Sequence, residues 1–173
     1  MFFNNENLYN EKYINIIKEN QKTIPVKITK IASELGITIY RANMSENISG
    51  AIFGKNIGYD NEEYIIYVNG CHSINRQRFT IAHEIAHFLL HKNQIGDNLT
   101  DSAMYRSKLS NAKERQANAL AAEILMPLQE LRNYVYNIGV TNIEALSEIF
   151  KVSKETMSIR LRDLRKGNFF LEE

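Results

Sequence analysis

Residues 74–92 read INRQRFTIAHEIAHFLLHK, and this stretch decides the fold. Phe79, Ala82, Ile85, Ala86, Leu89 and Leu90 recur on or near one side of a helix, so the segment predicts an amphipathic helix laid on a core. His83 and His87 stand four residues apart. On a helix that spacing stacks two imidazoles about 6 Å apart on one face, within reach of a single metal ion. Neutral imidazole is a good zinc ligand at about 2.0 to 2.1 Å. Glu84 follows the first histidine, so its carboxylate falls beside such an ion rather than on it. That place suits a general base acting on a metal-activated water. Histidines on helices are usually solvated or simply hydrogen-bonded, but here both histidines and the glutamate occur together, on a convincing helix, after a strand.

His91 lies four residues beyond His87 and invites reading as a third ligand. Geometry disfavours it, because a rise of about 1.5 Å per residue separates His83 from His91 by about 12 Å. Extended metal-helix patterns place a glycine and a turn before their third histidine, and FLLH has neither. His91 is expected as a polar residue at the helix end, at most behind the ligands.

A catalytic zinc takes three protein ligands and keeps one position open. The third is expected from another helix, and residues 111–127, NAKERQANALAAEILMP, read as one, alanine-rich and able to approach a neighbour closely. Glu114, Glu123 and Glu130 are the acidic candidates in or near it. At about 100° per residue, Glu114 and Glu123 point to opposite faces, and Glu130 lies beyond Pro127. Glu114 shares its stripe with Ala117, Asn118 and Ala121, which suits packing under the metal helix. On spacing alone, a surface glutamate paired with lysine or arginine is an equal reading.

Outward from these helices the chain changes character. Residues from about Asn7 to Lys18 predict one helix, and VKITKIASELG after Pro25 a second, with Gly36 as its C-terminal cap. ITIYRANM, GAIFGK and EYIIYVNG are short, β-branched and aromatic, with Gly58-Tyr59-Asp60-Asn61 as the turn between the last two. They predict a small antiparallel three-stranded sheet. From Ser73 onward every segment reads helical, so the fold class is α+β: the sheet packed on a helical core.

With 173 residues, 44% of them hydrophobic, the chain can bury one substantial core. Twenty-one basic residues against 20 acidic give a net charge of +1, which argues against a strongly basic nucleic-acid binder. One cysteine, Cys71, rules out an intrachain disulfide and fits a reducing compartment. Its expected state is a small thiol at least partly buried, rather than a redox switch. The N-terminus lacks the pattern of a signal peptide, and no apolar run approaches the roughly 18 residues of a membrane span. A soluble, cytoplasmic protein with no membrane partner is expected.

RFTIAHEIAHFLLH followed by ERQANALAAEILMP resembles the ImmA/IrrE family of zinc metallopeptidases, with the resemblance running from about Ser33 to Leu164. SGAIFG and YIIYVNG resemble the family's sheet ahead of the metal helix. The resemblance implies a zincin-like core in which His83, His87 and Glu114 bind zinc and Glu84 is the base. It further implies an endopeptidase that cleaves a helix-turn-helix transcriptional repressor, often encoded nearby, and so relieves repression of mobile-element, phage or stress genes. A rival from another class is a zinc-binding regulatory module that sequesters a repressor without cutting it; only the peptidase needs Glu84. A donor for the oxyanion is also required, and Tyr105, Arg106 and His72 are unranked candidates.

TNIEALSEIFKVSKETMSIRLRDLRKG reads as two short helices joined at Lys151-Val152-Ser153, with a small core of Ala145, Leu146, Ile149, Val152, Met157 and Leu161. Ser153 can cap the second helix and Glu155 lies in its first turn. The pattern resembles a helix-turn-helix. Lys154, Arg160, Arg162, Arg165 and Lys166 make the second helix basic, which raises direct DNA binding as a third reading; a packing appendage or a substrate-docking surface is the alternative. The expected organisation is a zincin-like metallopeptidase domain over 1–140 with the helix-turn-helix-like segment 141–173 packed on it.

Overall fold

The computed structural model describes residues 10–56, 62–96 and 111–167. Asn10 starts the first helix, α1 (Glu11–Gln21), by accepting a 3.0 Å hydrogen bond from Lys12 N through its side chain. Ile14 and Ile17 are its buried face. The helix runs one turn later than the sequence predicts, and Asn7 to Tyr9 lie outside the described residues. The second helix, α2 (Ile28–Glu34), is shorter than expected and ends at Gly36, whose φ of +76° supplies the left-handed cap.

Three strands follow: β1 (Ile37–Ala42), β2 (Gly50–Asn56) and β3 (Glu62–Asn69). Their order is β1-β3-β2. β2 pairs antiparallel with β3, but β1 pairs parallel with it, Ile37 opposite Tyr64 and Ile39 opposite Ile66. The sheet is therefore mixed, which corrects the antiparallel expectation. Composition identifies strands but not their direction. Here β3, the most continuously apolar strand, takes the centre, where both of its edges are paired. The chain reaches it from β1 by way of β2, a connection long enough for the parallel pair. The turn expected at 58–61 lies outside the described residues.

Alternation along β3 sends Tyr64, Ile66 and Val68 to one buried face. That face receives α3 (Ile74–His91), with the Tyr64 and Phe88 rings edge to face at 4.8 Å between centroids. Gly50 on β2 lies where a Cβ would stand 2.6 Å from Thr80 Cγ2 of α3, so only glycine allows the strand this close to the helix.

The remaining α-helices among the described residues are α4 (Asn111–Leu125), α5 (Leu128–Arg132), α6 (Ile143–Phe150) and α7 (Lys154–Lys166). Pro127 separates α4 from α5. Gln21 at the end of α1 donates from Nε2 to the carbonyls of Glu123 and Ile124, at 2.8 and 3.1 Å, and so satisfies two of the open carbonyls at the C-terminal end of α4. Asn142 and Ser153 cap α6 and α7 through their side chains, and between the two helices Lys151 adopts φ +53°. This turn is held against α3: Asn75 Nδ2 donates to Val152 O at 3.1 Å, and Arg78 Nε to Lys151 O at 3.1 Å. Leu146, Val152, Met157 and Leu161 are buried as the sequence predicts. No helix among the described residues is long and apolar enough to cross a membrane.

Candidate metal centre

The site is made where α3 meets α4. Ser73 caps α3, accepting from Arg76 N at 3.4 Å, and Gln77 ties its first turn to the carbonyls of Gly70 and His72. The helix thus leaves the sheet at a fixed angle. Ala82 and Ala86 on α3, and Ala117 and Ala121 on α4, are fully buried. Small residues on both helices let the backbones approach and bring polar side chains on the neighbouring stripes into contact.

Those side chains are His83, His87 and Glu114, each offering a ligand atom within 4.8 Å of the others. His83 Nε2 lies 2.9 Å from His87 Nε2. Glu114 faces both rings, one oxygen 3.4 Å from His83 Nε2 and the other 3.4 Å from His87 Nε2. Ligands held at about 2.0 to 2.1 Å around a tetrahedral zinc stand about 3.3 Å from one another. Each carboxylate oxygen stands at about that separation from one ring, and the two rings need to part by only a few tenths of an ångström. Two imidazoles and one carboxylate form a donor set that suits zinc. His87 is buried, whereas the Glu114 side chain is 37% exposed, so the group opens to solvent on the α4 side.

Burial lowers the His87 pKa to about 4, assisted by His83 and opposed by Glu84 and Glu114. The ring is neutral at pH 7, so its contacts with Glu114 are not ion pairs and a nitrogen lone pair remains for a metal. Glu84 is 1% exposed on the same helix turn, and its charge acts on His87.

In the metal-free protein, acid should cost stability through His87. Between pH 6.5 and 4 the unfolded His87 binds a proton that the folded ring does not. Its contribution is therefore complete above pH 6.5 and lost as pH falls towards 4. At about 1.4 kcal/mol per pK unit, the loss is at most about 3 kcal/mol. Urea midpoints over this window, compared with His87→Asn, measure it; equal slopes for the two proteins would contradict it.

His91 sits behind His87 as a buried neighbour, Nδ1 to Nδ1 3.2 Å, and takes no place among the three converging groups. Glu123 points away and pairs with Arg160 at 3.9 Å, while Glu130 lies on α5. His72 Nε2 lies 3.1 Å from the Glu46 carbonyl, a helix length of about 15 Å before the histidine pair. Tyr105 and Arg106 lie outside the described residues. Cys71 is exposed, its Sγ 3.7 Å from Asn43 Oδ1, which corrects the expectation of a partly buried thiol: it stands in the turn ahead of α3, where no core covers it. Sequence reasoning read Asn118 as packing only. The structure places its Oδ1 2.9 Å from His83 Nδ1. The available signal was its position one turn after Glu114, the only amide on an otherwise alanine stripe.

The family profile of the IrrE N-terminal-like domain, peptidase family M78, matches residues 32–162. The radiation response metalloprotease IrrE of Deinococcus radiodurans is 35% identical over 107 residues, 60% of this chain and 31% of that protein. The protein of the same name from Deinococcus deserti is 35% identical over 95 residues, 53% of this chain and 32% of its own length. The chain therefore spans about a third of the length of these relatives. A Mycobacterium tuberculosis transcriptional regulator of known structure shares the fold, with a TM-score of 0.55 at 17% identity, over 92% of this chain and 49% of that one. With a match running from α2 to α7 and covering both helices of the candidate centre, the chain belongs to the ImmA/IrrE family of M78 peptidases.

Proposed function

We propose that this protein is a cytoplasmic zinc endopeptidase that cleaves a helix-turn-helix repressor encoded near it, relieving repression of mobile-element, phage or stress genes. The observation that carries the reading is the convergence of His83, His87 and Glu114 from two helices. When bound, zinc supplies Lewis acidity for the scissile carbonyl and lowers the pKa of water. His83, His87 and Glu114 would hold the ion. Glu84 takes the proton from the attacking water and returns it to the leaving amine.

Segment 141–167 serves here as support for the site rather than as a DNA reader. Of its basic residues, Arg160 is buried against α4 and Lys154 pairs with Glu144. Its turn is spent on hydrogen bonds to α3. A duplex-DNA titration at low salt tests this, and a salt-sensitive shift would restore the DNA reading.

The peptidase reading is tested by elemental analysis of the wild-type chain beside His83→Ala and Glu114→Ala, then by incubating the zinc-loaded chain with the neighbouring repressor and weighing the products. About one zinc per chain, lost in both variants, with repressor fragments that vanish under chelation, is the expected result. A zinc-loaded chain that binds the repressor and leaves it whole would favour sequestration instead.

A further inference from the structure

An imidazole can offer Nε2 to a metal only if the ring's proton is on Nδ1 and the lone pair on Nε2. In this site both Nε2 atoms point at Glu114, so the partners of the two Nδ1 atoms decide whether the rings are poised to ligate. For His83 that partner is Asn118 Oδ1 at 2.9 Å. A carbonyl oxygen can only accept, so His83 carries its proton on Nδ1 and its lone pair on Nε2, the nitrogen that lies 2.9 Å from His87 Nε2. For His87 the partner is His91 Nδ1 at 3.2 Å, in a buried contact. One of these nitrogens donates and the other accepts. If His87 donates, His91 carries its own proton on Nε2 and needs an acceptor there.

We propose that Asn118 and His91 are positioning residues of the metal centre, each fixing the tautomer and ring angle of one histidine ligand. This rests on the metal-centre reading above. It also gives α4 a wider part than one ligand. Within five residues that helix places Glu114 on the metal side and Asn118 behind His83. A shift of α4 therefore disturbs the third ligand and the orientation of His83 together. Outer partners of metal-bound histidines typically contribute 10- to 100-fold in metal affinity.

The experiment is zinc affinity measured by competition with a chromophoric chelator, on the full chain, for wild type, Asn118→Ala, Asn118→Asp, His91→Phe and His91→Gln, with nitrogen-15 imidazole spectra of the zinc-loaded proteins. Asn118→Ala and His91→Phe should each weaken zinc about 10- to 100-fold while still binding one ion per chain. Asn118→Asp and His91→Gln, which keep an acceptor, should recover most of that loss. The wild-type spectra should show the proton on Nδ1 of both His83 and His87. Because His91 is buried, His91→Phe could unfold the chain. Asn118 is exposed, and its two variants then decide alone. Wild-type affinity in Asn118→Ala, an equal loss in Asn118→Asp, or a proton on Nε2 of His83 would overturn the inference with the metal centre intact. A wild-type chain that binds no zinc would instead remove the reading on which it stands.

Discussion

Glu84→Gln should keep the metal content of the wild-type chain and lose about 10²- to 10⁴-fold in cleavage rate, the range a positioned acid–base group contributes. The substitution exchanges one carboxylate oxygen for an amide of nearly the same size. Glu84 is 1% exposed, so there is no room for a different rotamer and little reason for the helix to move. The amide cannot accept a proton from water at neutral pH. His83, His87 and Glu114 are untouched, so the ion stays. A second change accompanies the first. The Glu84 charge is one of the two that raise the His87 pKa, so its removal should move the acid limit of zinc binding to lower pH, not higher. A time course of repressor cleavage, run beside elemental analysis, separates the two effects. A zinc-loaded Glu84→Gln protein that cleaves at the wild-type rate would remove Glu84 from the mechanism. One that cleaves nothing yet fully relieves repression in the cell would make the protein a sequestering module.

Glu84 can be singled out from the sequence because the helix that carries it is marked locally. Apolar spacing between Phe79 and Leu90 marks a helix with one buried face, and His83 and His87 fall beside that face whatever the rest of the chain does. The caps at Ser73, Asn142 and Ser153 are equally local, since a side chain and a backbone N–H two or three residues away complete each one. What escapes the sequence is whatever depends on two segments meeting. Strand direction is one case: β1 and β3 look alike in composition whether they run parallel or antiparallel. The partners of the Nδ1 atoms are another, because Asn118 and His83 are 35 residues apart in the chain. Arg160 differs from both, because its place was legible. Met157, Arg160, Leu161 and Leu164 stand at i, i+3, i+4 and i+7 along α7, and all four are buried. Its charge adds to the basic character of the helix, but its position turns it inward.

That inward arginine is the basis of the largest stability effect expected. Arg160→Ala should destabilise the protein by about 3 to 5 kcal/mol, as removal of one partner from a buried ion pair does. Arg160 Nε donates to the Met126 carbonyl at 3.3 Å, and its Nη2 lies 3.9 Å from Glu123 Oε2. Burial lowers the Arg160 pKa, with Glu123 first and Asp163 second working against it. Take away the guanidinium and the Glu123 carboxyl, 6% exposed, loses the cation 3.9 Å from it while still largely shut off from water. The Met126 carbonyl also loses its donor. The pair itself is imperfect: 3.9 Å is long for a hydrogen bond, and Arg160 Nη2 makes none among the described residues. Replacing both partners with apolar residues, Glu123→Leu with Arg160→Met, should therefore recover most of the loss. Urea unfolding of the two single variants and the double variant gives the coupling directly, and a double variant as unstable as the sum of the singles would show that no pair exists. Arg160 joins α7 to the C-terminal half of α4, whose first turn carries Glu114. The single variant should accordingly bind zinc more weakly at a urea concentration where it is still folded. Unchanged zinc affinity there would show that α7 stabilises the chain without holding α4 in register with α3.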